Sequence, residues 1–193
     1  MTLSELKKER KFWQRMLRLA GYYHGAIDGV IGKQSKAAEA AWDADVEKAL
    51  NEYGRFDDRT EQNLATLIPA AQMLARKWFM QAAGLAVQEG LSIRLICGTR
   101  TYAEQDALYR KRPRVTKAKG GYSWHNFGLA WDFCVFEDKQ PIWEHNLYNT
   151  AGALARDIDG LEWGGDWKSF VDKPHIQLNR FSSTAAARSC FEA

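Results

Sequence analysis

The stretch Ser123–Phe133, SWHNFGLAWDF, constrains the fold most strongly, because it sets a histidine and an aspartate seven residues apart. On an α-helix that separation would put His125 and Asp132 about 10 Å apart along the axis, too far to share an ion or a proton. The chain must therefore bend between them if the two side chains act together. Gly128 is the residue at which a bend costs least, since glycine adopts backbone conformations that other residues avoid.

The residues after the bend alternate in character, and this alternation predicts a strand over 129–136. An aspartate in the middle of such a strand is costly to bury unless a positive group meets it. A final short strand, HIQL, puts His175 and Gln177 on one face. If the two strands pair in one sheet, His125, Asp132 and His175 can converge. Two imidazoles and one carboxylate suit zinc, with a fourth position open to water.

A zinc site of this kind activates water for amide hydrolysis, which also requires a group that moves protons. Asp172 precedes His175 by three residues, in a loop that Pro174 keeps extended. It could reach the zinc-bound water without being a ligand, and it is the candidate general base. Glu162, which is also near this turn, is the alternative.

The pattern from Pro69 onward predicts an α+β domain with a short antiparallel sheet flanked by helices. A helix is expected up to Gly90, followed by a half-buried strand in LSIRLIC. Thr101 and Glu104 have the spacing of a capping box, which predicts the start of another helix. Further on, a helix is expected within 146–158, before the glycine-rich turn LEWGGDWKSF.

Composition and charge exclude several classes of protein. The chain has 193 residues, of which 46% are hydrophobic, so it can bury a core, and it contains no run of about 18 apolar residues. Its first residues are charged and lack an apolar signal segment, so we expect synthesis in the cytoplasm without a signal peptide. The three cysteines lack C-x-x-C spacing and are predicted to be buried free thiols.

The net charge of +3 suits contact with a polyanion but does not identify one. A basic, glycine-ended loop runs from residue 111 to 123, and a nucleic-acid binder using Arg112, Lys117 and Lys119 is one possible interpretation. No interleaved aromatic and basic motif supports it. We therefore expect no nucleic-acid or membrane partner, and a monomer.

The N-terminal third predicts a separate helical module. Thr2 and Glu5 form a capping box before a helix that should end at Gly21, and a second helix is expected to open near Ser35. The loop GAIDG is echoed by GRFDD before a third helical segment, which ends near Leu67. The sequence thus predicts a three-helix domain over 1–67 and a second domain over 68–193.

Residues 12–67 resemble the peptidoglycan-binding module found at the ends of many wall hydrolases. The matching positions are Gln14, Leu17, Gly21-Tyr22, Gly25, Ile27-Asp28-Gly29, Gly32, Ser35 and Ala38. The Phe-Gln that often follows the second helix is replaced by Trp42-Asp43. The resemblance implies a wall-binding module whose candidate contacts are Tyr22, Tyr23, Asp28 and Gly29.

Residues 67–178 resemble the zinc D-Ala-D-Ala carboxypeptidase and L-alanyl-D-glutamate endopeptidase family. The S-x-H-x-x-G-x-A-x-D signature is carried by Ser123, His125, Gly128, Ala130 and Asp132, and D-x-x-H by Asp172 and His175. The resemblance implies zinc ligands at the two histidines and Asp132, and a catalytic base at Asp172. GTRTYAEQ matches a third motif. Its implied roles are substrate holding or oxyanion stabilisation by Arg100, and a cleft position for Gln105. Ser123 is a further candidate substrate contact.

WGGDW at 163–167 is similar to the endopeptidase branch among phage endolysins, which cuts the peptidoglycan stem peptide between L-Ala and D-Glu. The resemblance therefore implies a zinc endolysin that acts on the cell wall after holin-dependent release. Two alternatives stay open: a D,D-carboxypeptidase that removes terminal D-Ala, and a non-catalytic wall-binding protein.

Overall fold

The computed structural model describes residues 1–113 and 115–193, so Arg114 of the predicted basic loop lies outside the described residues. The helices are α1 (Leu3–Lys8), α2 (Arg10–Leu19), α3 (Lys33–Tyr53), α4 (Asp58–Leu64), α5 (Pro69–Gln88), α6 (Tyr102–Arg110), α7 (Leu147–Ala153) and α8 (Thr184–Glu192). The strands are β1 (Ser92–Cys97), β2 (Ala130–Glu137), β3 (Gln140–Ile142), β4 (Leu161–Trp163) and β5 (His175–Leu178). Within the described residues, no helix combines the length and apolar character needed to cross a membrane.

The strands form one antiparallel sheet in the order β1-β2-β5-β4, and β3 pairs with the far end of β2. The register sets Asp132 of β2 opposite His175 of β5 on one side and opposite Cys97 of β1 on the other. The predicted α+β class, with a short antiparallel sheet flanked by helices, is confirmed. The predicted pairing between the strands of Asp132 and His175 is confirmed as well.

The two faces of β2 have different surroundings. Its apolar face packs against α5, where the ring of Trp78 lies 4.9 Å from that of Phe133 and 6.2 Å from that of Trp131. The Trp78 indole N–H also donates to the Ala151 carbonyl on α7 at 2.9 Å, which joins α7 to α5. Because side chains alternate along a strand, this packing directs Asp132 to the opposite face.

The N-terminal region contains four helices rather than the predicted three. The predicted first helix is divided at Glu9, whose ψ of 69° is not helical, into α1 and α2. Neither proline nor glycine accompanies this break, so no local sequence signal predicts it. The ring pair Trp13–Trp42, with centroids 4.8 Å apart, joins α2 to α3.

One continuous hydrophobic core extends through the N-terminal helices and the sheet. The contact between the N-terminal helices and the sheet is also polar, because α4 and the residues after it form hydrogen bonds with β1 and the loop that follows β1. Thr60 Oγ1 accepts from Leu95 N at 3.1 Å, and Asn63 Nδ2 donates to Leu95 O at 3.0 Å. The boundary between 67 and 68 stays a prediction, and the two parts share an extensive interface.

Helix α8 was not predicted from the sequence. Its N-cap is Ser183, whose hydroxyl accepts from Ala186 N. The ring of Phe191 lies 5.0 Å from that of Phe12 on α2 and 5.4 Å from that of Phe127, beside His125. This last helix therefore bridges the N-terminal helices and the loop that carries the candidate site.

Candidate metal centre

Three side chains from three segments of the chain converge at one end of the sheet. His125 Nε2 lies 3.2 Å from Asp132 Oδ1, and His175 Nδ1 lies 3.0 Å from the same oxygen. The two imidazole nitrogens are 3.3 Å apart. Both histidines are buried. The structure thus brings together the three residues that the sequence predicted as ligands.

The bend at Gly128 brings His125 to this point. His125 lies in a short 3₁₀ helix, Trp124–Phe127, which ends at Gly128 in the left-handed conformation with φ of 65°. His125 Nδ1 lies 2.8 Å from the Gly98 carbonyl oxygen. A carbonyl only accepts, so Nδ1 carries a proton and, in the neutral ring, Nε2 presents its lone pair to Asp132.

His175 has the opposite orientation. Its Nδ1 faces Asp132, and its Nε2 lies 3.0 Å from Gln177 Oε1. The amide oxygen is an acceptor, so Nε2 carries the proton and Nδ1 is left to bind a ligand. In the neutral form that a metal ion binds, each histidine therefore directs its lone-pair nitrogen toward the Asp132 carboxylate.

The donor set fits a divalent metal ion. Ligand atoms held about 2.1 Å from a tetrahedral zinc ion lie roughly 3.4 Å apart, close to the observed spacings of 3.0 to 3.3 Å. Two imidazole nitrogens and a carboxylate oxygen are also a common ligand set for zinc. Burial favours the protonated form of Asp132, but His125 and His175 hold the pKa of its carboxyl well below the usual range. The carboxylate is therefore ionised and able to bind a cation.

Arg100 holds the other oxygen of Asp132. Its Nη2 donates to Asp132 Oδ2 at 2.8 Å, its Nη1 donates to Gln105 Oε1 at 3.1 Å, and its Nε donates to Cys97 Sγ at 3.0 Å. This arrangement fixes the carboxylate so that Oδ1 faces the two histidines. Arg100 also lines the adjoining cavity, where the sequence predicted a contact with substrate.

Gln105 was predicted to line the cavity, but it does not. Its side chain is fully buried, and its Nε2 donates to the Ala118 carbonyl at 2.9 Å, so it joins Arg100 to the loop of residues 116–118. Ser123, by contrast, does line the cavity and forms a capping box with Asn126. The structure therefore puts one of these two candidate substrate contacts beside the site and the other behind it.

A cavity of about 340 Å³ opens beside the three donors and includes Asp172. Burial, and then the negative charge of Asp132, raise the pKa of the Asp172 carboxyl. The exposed apolar side chains Val115, Tyr122 and Phe170 line the same cavity. A larger cavity of about 610 Å³, near Trp143, also includes Asp172 but none of the three donors. The smaller cavity is therefore the candidate substrate cleft.

Cys97 offers an alternative third donor. Together with His125 and Asp132 it presents ligand atoms that all lie within 4.8 Å of one another. Burial, and then the charge of Asp132, raise the pKa of its thiol to about 11. Its Sγ lies 3.8 Å from His125 Nδ1, the nitrogen that faces the Gly98 carbonyl, whereas His175 Nδ1 lies 3.3 Å from His125 Nε2. His175 is therefore the better third donor. All three cysteines are free, as predicted, but only Cys134 is buried, while Cys97 is partly buried and Cys190 is exposed.

The candidate wall contacts divide into two groups. Asp28 and Gly29 are bound to the buried Gln14, whose amide donates to Asp28 Oδ1 at 3.0 Å and accepts from Gly29 N at 2.7 Å. These contacts stabilise the loop. Tyr22 and Tyr23 line a cavity of about 320 Å³, although Tyr23 is only 4% exposed.

Sequence reasoning did not identify the hydrogen-bond role of the side chains behind His175. Gln177 contacts His175, and its Nε2 donates to Glu162 Oε2 at 3.2 Å, while the Trp167 indole N–H donates to Glu162 Oε1. Glu162, the alternative base, is therefore bonded to groups behind the ligand. The shared face of His175 and Gln177 in the sequence was the one available signal.

A family model and several known proteins resemble this chain. Residues 116–178 match a peptidase M15 family model described as D-alanyl-D-alanine carboxypeptidase. The chain is 36% identical over 107 residues to the peptidoglycan L-alanyl-D-glutamate endopeptidase CwlK of Bacillus subtilis, a match that covers 48% of this chain and 64% of that protein. It is 40% identical over 60 residues to the L-alanyl-D-glutamate peptidase of Listeria phage A118, covering 30% of this chain and 21% of that protein.

A solved structure, the L-Ala D-Glu endopeptidase ChiX of Serratia marcescens, is 29% identical and has a TM-score of 0.47, covering 67% of this chain and 95% of that one. The chain spans less than two thirds of the length of either curated relative. The matched segment 116–178 includes His125, Asp132, Asp172 and His175. Over this segment, the chain resembles the M15 peptidase family.

Proposed function

We propose that this protein is a zinc peptidase that hydrolyses the peptidoglycan stem peptide at the L-Ala–D-Glu amide bond. The observation that carries the proposal is the convergence of His125, Asp132 and His175 within 3.3 Å of one another, beside a cleft that contains Asp172. The names of the Bacillus subtilis and Listeria phage relatives, both L-alanyl-D-glutamate peptidases, support the choice of bond.

His125 Nε2, His175 Nδ1 and Asp132 Oδ1 would hold the zinc ion. The chemistry that zinc supplies when bound is polarisation of the peptide carbonyl and activation of water. Arg100 keeps the Asp132 carboxylate oriented through its bond to Oδ2.

Asp172 would act as general base and then as general acid. It is partly buried in the cleft, and its raised pKa makes it a stronger base than an ordinary aspartate. In its ionised form the carboxylate would accept a proton from the attacking water. The protonated carboxyl would then donate that proton to the leaving amine of D-Glu.

Substrate binding would use the cations and the apolar side chains of the cleft. Arg100 and Lys117 line it, and a stem peptide carries carboxylates that these cations would attract. Ser123 and the rings of Tyr122 and Phe170 provide further contacts. Gln105 would act indirectly, by holding Arg100 and the loop that carries Lys117.

The region 1–67 would bind the wall and raise the local concentration of substrate by tethering. The cavity beside Tyr22 and Tyr23 is the candidate contact. A role in phage-encoded lysis, with holin-dependent release from the cytoplasm, is part of the same proposal and is supported by the similarity to a phage relative.

Digestion of purified peptidoglycan, followed by mass spectrometry of the products, tests the proposal. We expect new D-Glu amino termini, and we expect Asp172→Asn to lower the rate by about 10²- to 10⁴-fold while zinc binding is kept. The description of the matching family favours a second candidate, a D,D-carboxypeptidase. Release of free D-Ala with the L-Ala–D-Glu bond intact would establish that candidate instead. Lytic activity unchanged in Asp172→Asn would contradict both.

A further inference from the structure

A chain of hydrogen bonds leads from His175 through Gln177 to Glu162. Which group donates in each of these bonds is decided at Glu162, the end far from the metal centre. The carboxylate of Glu162 accepts the Trp167 indole N–H at Oε1 and the Gln177 amide N–H at Oε2. An ionised carboxylate has no proton to donate, and an indole N–H can only donate. Both neighbours of Glu162 must therefore donate to it.

The amide of Gln177 then determines which ring nitrogen of His175 carries a proton. Gln177 is 4% exposed, and its Nε2 lies 3.2 Å from Glu162 Oε2, so its Oε1 must face the other way. That oxygen lies 3.0 Å from His175 Nε2. Because an amide oxygen only accepts, His175 Nε2 must carry a proton, and Nδ1 is then the nitrogen available to a metal.

We propose that Glu162 and Gln177 are positioning residues that hold His175 in the tautomer able to bind metal through Nδ1. The inference rests on the metal centre of the proposed function, and it concerns residues that touch neither substrate nor metal. Outer hydrogen-bond partners of this kind orient a ligand and increase its basicity. Trp167 fixes the Glu162 carboxylate, and its ring lies 5.1 Å from that of His175.

Glu162→Gln reverses the donor and acceptor roles in this chain of hydrogen bonds without changing the size of the side chain. Trp167 would still donate, so it would hold the new amide oxygen and turn the new NH₂ group toward Gln177. Gln177 would then present its own NH₂ group to His175 Nε2, where donor meets donor. We expect zinc affinity, measured by competition with a chelator of known affinity, to fall about 10- to 100-fold.

The double variant Glu162→Gln/Gln177→Glu provides a matched rescue. It contains the same two side-chain types in exchanged positions and keeps the net charge. The amide at 162 would donate to the carboxylate at 177, which would again accept from His175 Nε2. We expect its zinc affinity to return to within about tenfold of the wild-type value.

A spectroscopic readout separates this role from general loss of structure. In long-range ¹H–¹⁵N spectra of zinc-loaded protein, wild type and double variant should show a slowly exchanging proton on His175 Nε2, and Glu162→Gln should not. Wild-type zinc affinity in Glu162→Gln would overturn the inference. So would failure of a double variant with wild-type circular dichroism to recover affinity. Neither readout uses peptide cleavage, so an inactive wild type that binds zinc would contradict the proposed function alone.

Discussion

Cys97 and His175 occupy equivalent positions on either side of Asp132, since the sheet register sets each of them opposite that residue. Of the two, His175 presents a ring nitrogen within 3.3 Å of both other donors. Cys97 Sγ instead lies 3.8 Å from His125 Nδ1, the nitrogen that faces the Gly98 carbonyl, and it accepts from Arg100. The two residues therefore differ in what their removal should do.

We expect His175→Ala to lower zinc affinity by more than about 100-fold, and Cys97→Ser to change it by less than about tenfold. Serine is a suitable control because its hydroxyl can still accept from Arg100 Nε. Isothermal titration with zinc measures both values. A larger loss in Cys97→Ser than in His175→Ala would show that the cysteine, and not the second histidine, completes the ligand set.

At the scale of single residues, the sequence predicted that the ligands converge but not how deeply the side chains around them are buried. His125, Asp132 and His175 follow from a bend, an alternating strand and a second strand, which are all local patterns. The burial of Gln105 does not follow from a local pattern, because it depends on how the loop 116–118 folds over α6. A sequence pattern predicts on which face of a helix or strand a residue lies, and only tertiary packing decides what covers that face.

The turn at Gly128 is the element on which the position of His125 depends. Its φ of 65° is the left-handed conformation, and an added Cβ would lie 2.5 Å from Met16 Cε and 3.1 Å from Ile68 N. We expect Gly128→Ala to lower the free energy of unfolding by at least about 1–2 kcal/mol, the cost of the left-handed backbone alone. Urea denaturation measures the change.

Gly84→Ala is the matched control for this substitution. Gly84 is exposed in the interior of α5, and an added Cβ would have no atom within 4 Å. We expect it to stabilise the protein by about 0.4–1 kcal/mol, because alanine restricts the unfolded chain. If both variants were equally stable, the proposed strain at Gly128 would be absent.

The ion pair between Glu61 and Arg76 joins α4 to α5. Both guanidinium Nη groups donate to the carboxylate at 2.7 Å, and the Arg76 side chain is 2% exposed. Burial tends to raise the pKa of Glu61, but the bonds from Arg76 and from Phe56 N outweigh it and lower the pKa. We expect Glu61→Gln to cost about 3 kcal/mol at neutral pH, the low end for buried pairs, because Glu61 keeps 17% exposure.

The pH dependence of this contribution has a definite sign. A carboxyl whose pKa is lower in the folded protein stabilises the fold above its unfolded pKa, and this stabilisation is lost as pH falls through the folded value. The stability difference between wild type and Glu61→Gln should therefore shrink on acidification from pH 7 to below about pH 4. Urea titrations at a series of pH values measure it, and a difference that grows in acid would contradict the ion-pair explanation.

Elements with strong local signals were predicted and those fixed by tertiary contacts were not. Capping boxes correctly marked the starts of α1 and α6. The break at Glu9 has no local sequence signal. Helix α8 is stabilised by contacts of Phe191 with Phe12 and Phe127, which are far away in the sequence. Local patterns cannot report such contacts.

At the scale of the whole molecule, the N-terminal region covers an edge of the sheet. In the order β1-β2-β5-β4, strand β1 has a neighbouring strand on one side, and its other side meets α4. The backbone N–H and C=O of Leu95 bond to Thr60 and Asn63 rather than to another strand. An uncovered edge strand would present these groups to other chains. The wall-binding region predicted from the sequence thus also protects the sheet.

We therefore expect a truncated chain of residues 68–193 to aggregate or lose cooperative unfolding, as judged by size-exclusion chromatography and thermal denaturation. The truncation removes the hydrophobic partners of α5 and α8 as well as the bonds to β1. Thr60→Val in the full chain isolates the polar part, and leaving Leu95 N unpaired should cost about 1–3 kcal/mol. A monodisperse truncated chain with the thermal stability of the full protein would mean that the two regions fold independently, as the domain boundary predicted from the sequence requires. The shared core would then contribute little, and the N-terminal region would serve for attachment to the wall alone.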